Sequence, residues 1–200
     1  MYGAVKRLLD FICCSTVFFI TLPLFAVAAI FIKAGSEGPV LFKQKRVGRF
    51  GSHFDIYKFR TMRIDAPKDT PTHLLKEPER YITGFGKFLR KTSLDELPQL
   101  INIIKGDMSV VGPRPALWNQ YDLIAARDTA NINRLYPGLT GLAQISGRDE
   151  LPIPVKVSYD AEYARRMSLA FDAKILLATV KTVFLSEGVR EGAGSGPLND

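Results

Sequence analysis

Residues 11–32 read FICCSTVFFITLPLFAVAAIFI, 22 positions without a formal charge. As one straight helix this run is roughly 33 Å long, enough to cross a hydrocarbon core of about 30 Å. A cleaved signal peptide fits poorly, because its apolar core would be shorter, and KAGSEGPVLF leads straight into patterned sequence without a small-x-small cleavage site. Pro23 lies near the middle. It lacks the N–H that would meet the Phe19 carbonyl, and its ring crowds the preceding turn, so it marks a kink or a break. The charged flanks do not choose an orientation: Lys6 and Arg7 precede the run, while Lys33, Lys43, Lys45, Arg46 and Arg49 follow it. A helix-break-helix that enters and leaves by one face accommodates both flanks, with arms of about 18 and 14 Å that each reach mid-bilayer. A kinked single span is the alternative. Either way the freed carbonyl needs a donor, and Ser15, Thr16 and Thr21 are the nearby hydroxyls.

Outside this run, 200 residues at 46% apolar content suffice for one ordinary domain with an appendage. The formal charge of +7 calls for an anionic partner: nucleic acid, acidic lipid headgroups or a phosphorylated substrate. Cys13 and Cys14 are the only cysteines and stand together inside the apolar run, which excludes a disulfide framework and suits a reducing compartment. His53 and His73 are isolated, so neither has the neighbours of a metal site.

VLFKQKRVG and HFDIYKFRTM read as two basic strands joined by RFGS, a hairpin signal. Residues 64–80 carry three prolines among charges and read as a long surface loop. Phe85, Phe88 and Leu89 give a short helical repeat. Leu97, Leu100, Ile101 and Ile104 fall at helical spacing, so ELPQLINIIKG is an amphipathic helix stopped by Gly106. VVGPRP is a proline-pinned loop, and LYPGLTGLAQISGR reads as turns and short strands. Helices are expected near SYDAEYARRM and over 172–185. The second is apolar over much of its circumference, which fits either core packing or partial immersion at a membrane surface. The chain then ends in a flexible tail, 187–200.

The stretch KTSLDELPQL sets Asp95 beside Glu96. Ser93 and Glu96 have the S-x-x-E spacing of a capping box; alternatively the helix begins at Pro98 and the two acids lie in the bend before it. On either reading they sit near a helix N-terminus, which favours negative charge and lowers a carboxyl pKa. Taken alone, such acids are usually a cap. A nucleophilic aspartate attacking phosphorus needs the same setting, and Asp95 with substrate phosphates is a suitable Mg²⁺ ligand set. Lys58, Arg60, Arg90, Lys91 and Arg114 are the candidate phosphate partners, although any one of them alone would ordinarily be a solvated charge. Prolines on both sides of Arg114 present its guanidinium from a rigid loop.

With KRLLDF, VLFKQKRVG, DIYKFRTM, TSLDELPQLINIIKGDMSVVGPRP and YPGLTGLAQISGR assembled, residues 2–186 resemble the small monotopic phosphoglycosyl transferases, also called bacterial sugar transferases or undecaprenyl-phosphate sugar phosphotransferases. The resemblance implies an α+β fold: a mainly helical catalytic domain with a short β-hairpin at 36–186, held to the cytoplasmic face of the bacterial inner membrane by a re-entrant helix at 1–35 that breaks at Pro23. It implies transfer of a sugar 1-phosphate from a UDP-sugar to polyprenyl phosphate, giving polyprenyl-diphosphate-sugar and UMP, with Mg²⁺ as cofactor. This is the first membrane step of glycan assembly, upstream of other glycosyltransferases, and needs no nucleic acid. By the same resemblance Asp95 is the covalent nucleophile and metal ligand, and Glu96 its dyad partner. Lys58, Arg90 and Arg114 are phosphate or ion-pair residues, and Asp160 is a further acidic site position. The N-acetylated donors UDP-GalNAc and UDP-N,N′-diacetylbacillosamine are candidates by resemblance. The chain departs from the family at Leu22, where a serine often precedes the proline. Two other readings share some of these features: a basic membrane-anchored adaptor without turnover, and a nucleotide-sugar hydrolase that needs no lipid acceptor.

Overall fold

The computed structural model describes residues 2–67, 70, 75, 77–147 and 151–184. The expected tail at 187–200 lies outside the described residues, as do His73 and other parts of the 64–80 segment. The architecture is mixed and mainly helical, as the sequence leads one to expect, with two small two-stranded sheets among the described residues.

Helix α1 runs from Tyr2 to Gly35 and contains Pro23. Here the structure differs from the expected helix-break-helix: the chain forms one continuous helix, long and apolar enough to cross a membrane. Only 11% of its apolar window is buried, so it is not the core helix of a soluble domain. A single stripe faces the domain. Asp10, Cys14, Ala28 and Ile32 are buried, and Phe18 and Phe25 pack between them. Two of the three hydroxyls expected to serve the freed Phe19 carbonyl, those of Thr16 and Thr21, go elsewhere. Thr16 donates to the Ile12 carbonyl at 2.9 Å, and Thr21 to those of Val17 at 2.8 Å and Phe18 at 3.2 Å, the ordinary back-bonding of a helical threonine.

Both ends of α1 are fastened to the domain. Near its start Arg7 donates to the Met108 and Ile103 carbonyls at 2.7 and 2.6 Å, and the Tyr2 hydroxyl donates to Asp172 at 2.7 Å. At its C-terminus the last carbonyls have no partner within the helix and need donors from elsewhere. Arg60 supplies them.

Strands β1 (Leu41–Val47) and β2 (His53–Phe59) pair antiparallel in the register Leu41↔Phe59 to Val47↔His53. Ile56 and Phe59 point inward to the core under α1. Helix α2 (Gly84–Lys91) is capped by Thr83, whose hydroxyl accepts from the Gly86 N–H at 3.0 Å. Helix α3 (Gln99–Lys105) stops at Gly106, which takes the left-handed conformation (φ 100°) and returns its N–H to the Asn102 and Ile103 carbonyls. Its burial is wider than the expected stripe, since Gln99, Asn102 and Ile103 are buried along with Leu100. α3 lies between α1 and β2, so it has little solvent face.

The second half is less legible in sequence. β3 (Ser109–Val111) and β4 (Gly138–Thr140) form a parallel pair that the glycine-rich text did not announce, and α4 (Tyr121–Thr129) has weak amphipathic patterning. After the short α5 (Leu142–Ile145) come α6 (Ile153–Arg166), which starts earlier than SYDAEYARRM suggests, and α7 (Leu169–Phe184). α7 buries Ile175 with Tyr163 and Val111 while leaving Leu169, Leu177 and Val180 exposed.

Candidate active site

Asp95 and Glu96 sit in a single 3-10 turn, Leu94–Glu96, between α2 and α3. The capping box, the first of the two placements open in the sequence, does not form. Ser93 makes no side-chain cap bond and takes the left-handed region (φ 55°), which a non-glycine residue rarely adopts. That conformation turns the chain sharply out of α2. Pro98 then stands at the N-cap of α3, so the acids occupy the bend before that helix, the second of the two placements open in the sequence.

Three basic side chains converge on this turn from three segments. Lys58, on β2, donates to Glu96 Oε1 at 2.6 Å. Arg114 approaches the same oxygen at 3.8 Å from the GPRP loop. Arg90, in the last turn of α2, donates from Nε to the Thr61 hydroxyl at 2.8 Å. All three act electrostatically on Asp95. Even so, its carboxyl is pushed up to about 6. Burial is the largest cause and Glu96 adds to it, while Lys58, Arg90 and Arg114 pull the other way. The expected lowering by a helix N-terminus is therefore overturned: desolvation and the neighbouring acid win.

Each base is held by its own scaffold. β2 meets α3 through Asn102, which accepts from the Tyr57 N–H at 2.9 Å and donates to the Asp55 carbonyl at 2.8 Å, satisfying the free edge of the strand next to Lys58. Gly86 lets α2 lie directly on the Thr61 carbonyl, where a Cβ would collide, and this sets Arg90 beside Thr61. The Arg114 loop is pinned from two sides. Arg46 donates to the Pro115 carbonyl at 3.0 Å and the Val47 N–H to the Ala116 carbonyl at 2.9 Å, while Arg127 donates to the Arg114 carbonyl at 2.7 Å.

Two residues expected at the site have other contacts. Arg60 is buried and turns to α1, donating to the Glu37 carbonyl, to that of Ser36 at 2.7 Å and to that of Ile32 at 3.4 Å. Burial lowers its pKa, and its geometry is that of a C-terminal cap for the apolar helix. Asp160 is buried on α6 and accepts from Arg127 Nε and Nη2 at 2.9 and 2.7 Å. It reaches Arg114 through Arg127, as a positioning residue. Burial raises its pKa against the pull of Arg127.

Asn102, Thr61 and Arg127 were missed by sequence reasoning. A polar residue inside the apolar run LINIIK was the available signal for Asn102; Arg127 carries none, because its partner lies 33 positions away. Among the described residues no group of three or more His, Cys, Asp or Glu side chains could hold a metal by itself. Asp95 offers hard carboxylate oxygens, whereas Glu96 is already engaged by Lys58. This fits a magnesium ion held by one carboxylate together with substrate phosphates.

A sequence model of the family described as "Bacterial sugar transferase" matches residues 1–186. The chain is 41% identical over 193 residues to the "Uncharacterized sugar transferase EpsL" of Bacillus subtilis, covering 94% of this chain and 91% of that protein. It is 36% identical over 200 residues to the "Exopolysaccharide production protein ExoY" of Rhizobium meliloti, covering 93% and 88%. It is 35% identical over 199 residues to the "Undecaprenyl-phosphate galactose phosphotransferase" of Salmonella typhimurium, covering 92% of this chain but only 41% of that longer protein. With a family match over nearly its whole length, the chain belongs to the bacterial sugar transferases.

Proposed function

We propose that this protein transfers a sugar 1-phosphate from a UDP-sugar to undecaprenyl phosphate by way of a covalent phosphosugar on Asp95. The observation that carries the reading is the half-buried Asp95 carboxylate faced by Lys58, Arg90 and Arg114, in a family with members named as undecaprenyl-phosphate sugar phosphotransferases. The three cations bind the diphosphate and offset its charge in the transition state. A carboxylate oxygen of Asp95 attacks the β-phosphorus, the bond from that phosphorus to the bridging oxygen breaks, and UMP leaves with the bridging oxygen. In the second step a phosphate oxygen of the acceptor attacks the same phosphorus, the bond to the Asp95 oxygen breaks, and the free carboxylate returns with the diphosphate-linked sugar. Bound magnesium, at Asp95, would neutralise phosphate charge. Glu96 holds Lys58 and Arg114 together and sets the distance of both from Asp95.

The way α1 is fastened supports a placement on one side of the membrane. A helix crossing the bilayer carries one end roughly 30 Å away from a domain on the other side. Here Arg7 at one end and Ile32 at the other both bond to domain residues. On this reading α1 lies along one leaflet as a continuous helix, its exposed apolar face in lipid, with both of its ends and the domain at the cytoplasmic face of the inner membrane. The sugar is galactose or glucose in the relatives whose names state one, so those UDP-sugars head the candidates, followed by the N-acetylated donors. The test is UMP release by detergent-solubilised protein with magnesium, undecaprenyl phosphate and a panel of UDP-sugars. One donor should give turnover that requires the lipid phosphate. No turnover with any donor, or turnover that ignores the acceptor, contradicts the reading.

A further inference from the structure

α2 has two unlike faces. Inward it sets Gly86 and Arg90 against Thr61. Outward it presents Phe88, 52% exposed. Phe85 joins this ring to the membrane helix, stacking on Phe88 with centroids 5.9 Å apart and on Phe31 of α1 at 5.1 Å, with interplanar angles of 26° and 27°. Phe31 is itself 53% exposed. Three rings thus make one ledge open to the outside.

The two ends of the ledge differ in chemistry. At Phe31 it merges with the exposed apolar face of α1, which carries Val27 and Ile30. At Phe88 it stands between the exposed Lys87 and Lys91, one turn before the end of α2, and α2 packs directly on the turn that bears Asp95. Bulk lipid accounts for the Phe31 end. It accounts poorly for a half-exposed ring between two lysines above a phosphate site. A molecule with a phosphate head and a long apolar tail matches both ends at once.

We infer that the Phe31, Phe85 and Phe88 ledge is the track for the first isoprene units of the acceptor, which leaves its phosphate among Arg90, Arg114 and Asp95. The inference rests on the transferase reading above. Isoprene units present flat double bonds and methyl groups, which pack well on exposed ring faces. The remaining tail passes along α1 into the leaflet. Arg90 and Phe88 lie on opposite sides of the last turn of α2, so that one short helix addresses both the head and the tail of the acceptor.

The experiment compares wild type with Phe88→Ala, Phe31→Ala and the conservative Phe88→Leu, in detergent. Undecaprenyl phosphate and the three-isoprene farnesyl phosphate serve as acceptors. Exchange of labelled UMP into UDP-sugar, which needs no acceptor, reports the first step and the integrity of the fold. Phe88→Ala should raise the KM for undecaprenyl phosphate by about tenfold, the scale of losing one aromatic contact. Phe31→Ala should act in the same direction, more strongly on the long acceptor than on farnesyl phosphate. Phe88→Leu should recover most of the loss, and UMP exchange should stay within about twofold throughout. An unchanged acceptor KM overturns the ledge, as does an equal loss in exchange and transfer, which would make the rings merely structural. Wild type that neither exchanges nor transfers would sink the transferase reading and the ledge with it, so the two failures are distinguishable.

Discussion

At the scale of single residues, Asp95 is a carboxyl whose ionisation is costly to the fold. Asp95 has its pKa pushed up to about 6 from an ordinary 3.8, so the folded protein holds this proton more tightly than the unfolded chain. Its contribution to stability therefore falls as pH rises between those two values and is at its least favourable above about 6. Asp95→Asn should remove turnover while stabilising the protein at pH 7.5 by about 1–2 kcal/mol, a benefit that fades toward pH 4. Denaturant melts at the two pH values check it. In wild type the rate at low UDP-sugar should fall as pH drops through about 6, where Asp95 takes up its proton. Asp160→Asn should act differently, because it leaves the buried Arg127 without its counter-charge. A loss of about 3–5 kcal/mol is expected, with a raised KM for UDP-sugar as the Arg114 loop loses an anchor. Asp95, Glu96, Lys58, Arg90 and Arg114 were legible in the sequence as one charged constellation. Arg60 was misplaced there because a basic residue in YKFRTM carries no mark of which way its strand faces, and the C-terminus of α1 claims it.

Among the elements, α3 does more than follow the acidic pair. Its Asn102 makes the two bonds that seat β2, and hence Lys58, against the turn of Asp95. Asn102→Ala should cost about 2–4 kcal/mol by stranding buried backbone groups, and should reduce UMP release beyond what the stability loss explains. Thermal melting alongside the activity assay separates the two effects. The hairpin, α2 and α3 were readable because their signals are local: alternation, a glycine-containing turn, helical spacing and a glycine stop. The capping box failed for a local reason too, since Ser93 adopts a left-handed conformation and cannot cap. α4 and the parallel pair of β3 and β4 escaped because their order comes from distant partners, such as Asp160 for Arg127 and Gly138 for Ser109.

For the whole molecule, the apolar helix and the chemistry form one object. α1 supplies Cys14 to the cluster with Ile56 and Ile103, and Ala28 and Ile32 to the cluster with Phe59 and Leu89, so the apolar helix is also a wall of the candidate site's scaffold. Its apolar length was plain in the sequence, but its course was not, because Pro23 reads as a break when hydrogen bonds along the chain are all that is considered. Contacts at both ends settle how α1 meets the domain. With Cys13 and Cys14 replaced, single cysteines at Tyr2 and Gly38 should react with an impermeant thiol reagent from the same side of sealed vesicles; labelling from opposite sides contradicts the one-leaflet placement. Trapping tests the proposed covalent step most directly. Protein mixed with UDP-sugar labelled on the β-phosphate, with no lipid acceptor, should gain label together with the sugar on a peptide containing Asp95, release an equal amount of UMP, and lose the label when undecaprenyl phosphate is added. Asp95→Asn should gain none. Turnover by wild type without any protein-bound label, or label retained by Asp95→Asn, would contradict it.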